Sequence, residues 1–109
     1  KVDNGGGAVE ATSEAAAKTI AGATIKGTGN DLALSVDRTI ADGASYPIVL
    51  VTYEITCEKG LTGSDLELTK AFLTYTSSDE AQSMLSSIGY VPISGDLLTK
   101  VRAAVAAIS

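Results

Sequence analysis

The sequence has no histidine and a single cysteine, Cys57. One thiol cannot close an internal disulfide, so a disulfide scaffold is excluded while the compartment stays open. The same scarcity removes a Cys/His zinc cluster, a Ser-His-Asp triad and a Cys-His pair. A hydrolase lacks its nucleophile–base pair, and no catalytic residue, metal ligand or cofactor is expected in this chain. Basic residues are also few, 8 against 13 acidic ones, for a formal net charge of −5. No face can collect enough Lys and Arg to track a phosphate backbone, which argues against nucleic acid as a partner. A small anion held by directed hydrogen bonds stays compatible with that charge. Long apolar runs are missing too: Pro47 to Val51 is far short of the ~20 residues of a membrane span. No initiator Met, basic segment or apolar signal region opens the chain. Lys1-Val2-Asp3-Asn4 reads as the interior of a longer protein, with a processed N-terminus as the alternative.

What is present suits one small folded unit: 45% hydrophobic and 19% charged residues over a length of 109. No internal repeat or low-complexity tract interrupts it. Lys1 to Asn4 reads as the end of a strand, followed by a Gly5-Gly6-Gly7 loop. A helix is expected from Thr12 or Ser13 to Ala21, capped by a hydroxyl, with Glu14 at the positive end of its dipole and Gly22 ending it. Leu32, Leu34 and Val36 alternate with smaller or polar residues, so a short extended segment is expected there. Asp42-Gly43 marks a turn.

Tyr46 to Cys57, YPIVLVTYEITC, has the strongest strand character in the chain, being β-branched and aromatic with Pro47 near its start. Val49, Val51, Tyr53, Ile55 and Cys57 form one apolar row, while the opposite row changes from Ile48 and Leu50 to Thr52, Glu54 and Thr56. A strand buried on both faces at its start and on one face at its end is expected. Twelve extended residues reach ~40 Å, about twice a typical strand. Helices should follow. Ser64 and Glu67 would form a capping box, with Leu68, Ala71 or Phe72, and Tyr75 following at helical spacing. A second helix from Ser78 would bury Ala81, Met84, Leu85 and Ile88 before Gly89 stops it. A last one would carry the stripe Leu97, Val101, Val105 and Ile108.

Five stretches in order along the chain carry a family resemblance. SYPIVLVTYEITCEKG resembles the crossover strand of the phosphate-binding proteins (the PstS family) of bacterial ABC phosphate importers. LELTKAFLTYTSSDEAQ resembles the helix that follows it. SIGYVPIS is similar to their Gly-Tyr-x-Pro turn, and LLTKVRAAVAAIS to the closing helix. GGGAVEATSEAAAKTIAGA resembles the loop and helix before the crossover strand. The match covers essentially the whole chain, most weakly from Ala23 to Ser45.

The resemblance implies an α/β chain, the C-terminal part of a two-lobed periplasmic-binding-protein type II fold with one long crossover strand and several helices. Residues 1–45 would be the remainder of the second lobe, 46–57 the crossover hinge strand, and 58–109 helices returning to the first lobe. Tyr46, Pro47, Ile48, Val49, Leu50 and Val51 would form the hinge. The implied partners are inorganic phosphate, an ABC permease in the membrane and the missing N-terminal part of the same protein. The implied location is periplasmic or cell-surface, with a lipid anchor possible in the full-length precursor. The family's phosphate ligands come from a Thr/Ser loop near the mature N-terminus and an Arg…Ser-Gly-Thr segment. Neither occurs here, and Arg38 and Arg102, the only arginines, precede no Ser-Gly-Thr. No phosphate ligand is assigned to this chain.

The other candidates have plainer readings. Gly5-Gly6-Gly7 stands too far from a helix start to cradle an anion, and Gly27-Thr28-Gly29 is equally weak. Asp65, Glu67, Asp79 and Glu80 fall in first helical turns, where capping explains them. Glu54 reads as a solvated or edge carboxylate, Cys57 as a buried small hydrophobe, and Tyr53, Tyr75 and Tyr90 as core residues. A second function class, a stand-alone structural or interaction module without ligand binding, would have to pair the long strand within its own chain. An unpaired strand would instead imply dimerisation, strand swapping or dependence on a missing partner.

Overall fold

The computed structural model describes all 109 residues, Lys1 to Ser109. Four α-helices and two two-stranded antiparallel sheets make it a mixed α/β chain. It divides into two compact units, one of Lys1–Gly27 with Ala33–Val51, the other of Thr28–Leu32 with Thr52–Ser109.

In the first unit β1 (Val2–Asp3) pairs with β2 (Ala8–Val9), Val2 opposite Val9 and Asp3 opposite Ala8. The intervening glycine loop turns on its own side chains: Gly5 N donates to Asp3 Oδ1 at 2.8 Å and Gly6 N to Asn4 Oδ1 at 3.0 Å. Gly6 is required by proximity, because a Cβ there would lie 2.5 Å from the Ala41 carbonyl oxygen and the Gly43 nitrogen. Helix α1 spans Ser13–Ala21, with Thr12 Oγ1 accepting from Ala15 N at its start. Gly22 closes it in a right-handed conformation. β3 (Thr24–Ile25) and β4 (Leu34–Ser35) form the second pair, shorter than the alternation from Leu32 to Val36 suggests. Val9 and Ala15 are buried, and Thr19 is the one side chain with no exposure at all.

The second unit holds α2 (Gly63–Thr76), α3 (Asp79–Met84) and α4 (Gly95–Ala107), with a 3-10 turn over Leu85–Ile88. Ser78 caps α3 through Ala81 N, and Gly89, at φ +86°, ends the turn, both as expected. The Ser64/Glu67 capping box does not form. Gly63, at φ +56°, opens α2 in the left-handed region only glycine enters freely, so Ser64 already lies inside the first turn.

Helix facing differs from the expected pattern. Leu73 is buried, with Leu66, Thr69 and Thr76 half-buried at helical spacing, while Leu68, Phe72 and Tyr75 are exposed. Apolar residues occur on two sides of α2, so spacing alone admits either face. The inner side also carries Lys70, whose Nζ donates to the Ala106 and Ile108 carbonyls and covers the free C-terminal acceptors of α4. Met84 and Ile88 are likewise exposed, with Ala81 and Leu85 half-buried. The α4 stripe is as expected: Leu97, Val101 and Val105 are half-buried and Ile108 buried.

The largest correction concerns residues 46–57, which form no strand. A strand exists through ladder bonds to a neighbour, and both sheets are two-stranded and already paired among β1–β4. The side chains report the same shortage of neighbours. Ile48 is 65% exposed, and Leu50 and Ile55 are each 93% exposed, so the start of the segment is not buried on both faces. Cys57 is exposed, not a buried hydrophobe.

Candidate functional site

The expected hinge, Tyr46 to Val51, is tied firmly at its first residues. Tyr46 N donates to the Ala15 carbonyl at 3.0 Å, and Thr19 Oγ1 donates to the Tyr46 carbonyl at 2.7 Å. Helix α1 therefore grips both backbone groups of one residue. Arg38 supplies the next contacts: Nη1 donates to the Pro47 carbonyl at 2.7 Å and Nη2 to the Val49 carbonyl at 2.9 Å. Val49 and Val51 are half-buried, whereas Ile48 and Leu50 face solvent.

Immediately upstream, Asp42 organises the turn leading into this segment. Its Oδ1 accepts from Ala44 N at 2.8 Å, Ser45 N at 2.7 Å and Asn4 Nδ2 at 3.2 Å. Its Oδ2 accepts from Ser45 Oγ at 2.7 Å. The Ser45 hydroxyl first, then the two backbone N–H groups, hold the Asp42 carboxyl far below the ordinary carboxylate range. Asn4 Nδ2 also donates to the Ser45 carbonyl, linking the glycine loop to the same turn. Residue type alone does not mark Arg38 or Thr19 for these roles. Asp42 alone had a local signal, since an Asp before Gly in a turn favours bonding its own backbone further on.

The remaining candidates scatter. Glu54 is exposed and borders an open groove of about 360 Å³ with Ile55, Thr56, Leu68, Phe72 and Leu73. Tyr53, Tyr75 and Tyr90 are all substantially exposed, not core residues. Asp65, Asp79 and Glu80 lie in first turns. Glu67 is exposed further along α2. Arg102 donates Nε to the Ser77 carbonyl at 2.9 Å and Nη2 to Asp79 at 2.6 Å, closing the α2–α3 corner. No three His, Cys, Asp or Glu side chains converge as a metal site.

No family model and no solved structure matches the chain. It is 44% identical over 108 residues, 96% of its length, to "Phosphate-binding protein PstS 3" of Mycobacterium tuberculosis (strain ATCC 25618 / H37Rv). It is 41% identical over 104 residues, 93% of its length, to "Phosphate-binding protein PstS 2" of the same strain. To PstS 3 of Mycobacterium leprae (strain TN) it is 44% identical over 94 residues, 84% of its length. The chain spans 29%, 28% and 25% of these three relatives respectively. Over nearly its whole length, this chain is thus homologous to a segment of the PstS phosphate-binding proteins.

Proposed function

We propose that these 109 residues are the hinge and C-terminal scaffold of an extracytoplasmic substrate-binding protein of the two-lobed type II fold. The intact protein captures inorganic phosphate between its lobes and delivers it to the permease of an ABC importer, with no covalent chemistry. The observation that carries this reading is the 44% identity over 96% of the chain to proteins named phosphate-binding. Residues 1–45 belong to the second lobe, 46–57 cross between lobes, and 58–109 return to the first.

The local chemistry supports a scaffold role. Both arginines are already engaged, Arg38 with the Pro47 and Val49 carbonyls and Arg102 with Ser77 and Asp79. The glycine-loop amides of Gly5 and Gly6 are taken by Asp3 and Asn4. With these donors engaged inside the chain, the phosphate ligands are assigned to the rest of the parent protein. The exposed Leu50 and Ile55 are consistent with a segment completed by that remainder. The protein works in the periplasm or at the cell surface, and no helix in this chain is long and apolar enough to cross a membrane. Calorimetric titration with phosphate tests the reading. The 109-residue chain should give no binding heat, and a chimera completed with the unmatched part of the Mycobacterium tuberculosis relative should bind.

A further inference from the structure

The hydrogen bonds around residues 45–51 are unevenly distributed. Ser45 is buried, and its amide, hydroxyl and carbonyl are all engaged by Asp42 and Asn4. Tyr46 has its amide on Ala15 and its carbonyl on Thr19. Pro47 and Val49 give their carbonyls to the two terminal nitrogens of one guanidinium. Leu50 and Val51 make no hydrogen bond, and the first compact unit ends at Val51.

We propose that Arg38 is a positioning residue that sets the N-terminal limit of the hinge, so that bending starts at Leu50 and residues 46–49 move with the first unit. This rests on the hinge reading above and narrows it. Carbonyls two residues apart lie on one edge of an extended chain, where a neighbouring strand would offer amides. Arg38 fills that place with a planar, permanently charged fork whose two donors are fixed relative to one another. Its own backbone is steadied by the preceding residue, because Asp37 Oδ1 accepts from both the amide (2.8 Å) and the hydroxyl (2.7 Å) of Thr39. A lysine would keep the charge but present one compact ammonium in place of the fork.

The test is the backbone heteronuclear NOE along residues 44–57 of the 109-residue chain, compared among wild type, Arg38→Lys and Arg38→Ala. In wild type, Tyr46, Ile48 and Val49 should be as ordered as α1, with order lost from Leu50 onward. In Arg38→Ala the values at Ile48 and Val49 should fall to the level of Leu50, while Tyr46 and α1 stay ordered. Arg38→Lys should give an intermediate profile, and it supplies the comparison if the alanine variant unfolds α1. A wild-type chain already mobile at Ile48, or substitutions that leave the profile unchanged, would overturn the proposal. Because no phosphate is involved, a failure of phosphate binding in the chimera would leave this result standing and remove only the functional reading.

Discussion

Thr19 and Tyr46 are joined by a 2.7 Å hydrogen bond from a fully buried hydroxyl to a backbone carbonyl, across 27 residues of sequence. The same hydroxyl lies 3.3 Å from the Ala15 carbonyl, one helical turn earlier, and the Tyr46 amide returns a bond to that carbonyl. Helix α1 is thereby fastened to the start of the 46–57 segment by backbone groups, with one threonine at the centre. Thr19→Val keeps the shape and removes the donor, leaving a carbonyl underserved. A loss of about 1–3 kcal/mol is expected, measured by urea unfolding. Thr19→Ser, which retains the hydroxyl, should lose less.

Gly6 meets the Asp42–Gly43 turn backbone to backbone, with no room for a methyl group. Since neither the Ala41 carbonyl nor the Gly43 amide can swing away as a side chain would, Gly6→Ala should destabilise the first unit by about 1–3 kcal/mol. Thermal unfolding followed by circular dichroism reads this directly. A variant as stable as wild type would mean the two loops are not in contact.

Neighbouring residues on α2 should respond in opposite ways. Leu73 is buried, so Leu73→Ala should cost about 2–4 kcal/mol through lost burial and the cavity left behind. Phe72 is more than half exposed, and Phe72→Ala in the 109-residue chain should stay within about 0.5 kcal/mol. Denaturant midpoints of the two variants decide which face of the helix is inward.

Acid should weaken the first unit through Asp42. Its native carboxyl titrates below the ordinary value of 3.8, held there chiefly by the Ser45 hydroxyl, and Asp37 is lowered likewise by Thr39. At a pH between the native and unfolded values, only the unfolded chain binds the proton, so protonation favours unfolding. The contribution is complete above the unfolded value and disappears as pH falls through the native one. Asp42→Asn should flatten the pH dependence of the melting temperature between about pH 5 and pH 2.

Local signals located the helices well. Thr12 before Ser13, Ser78 before Asp79, and Gly89 after Ile88 each mark a boundary through a cap or a left-handed glycine, and each needs only its own neighbours. The α4 stripe was equally legible because its apolar residues fall on one side. Two things were not local. Helix α2 has Leu68 and Phe72 on one side and Leu66 and Leu73 on another, and packing against α3 and α4 selects between them. The β-rich composition of residues 46–57 states a preference for a strand, but a strand needs partners, and the two sheets present do not include it. Asp42 carries a local signal in the Asp-Gly turn, whereas the roles of Arg38 and Thr19 emerge only where segments distant in sequence meet.

The central claim is that this chain supports a phosphate site whose ligands lie outside it. Isothermal titration calorimetry with inorganic phosphate tests it most directly, on the 109-residue chain and on the chimera completed from the Mycobacterium tuberculosis relative. The account predicts a flat titration for the first and saturable binding for the second. Saturable binding by the 109 residues alone, or none by a folded chimera, would contradict it.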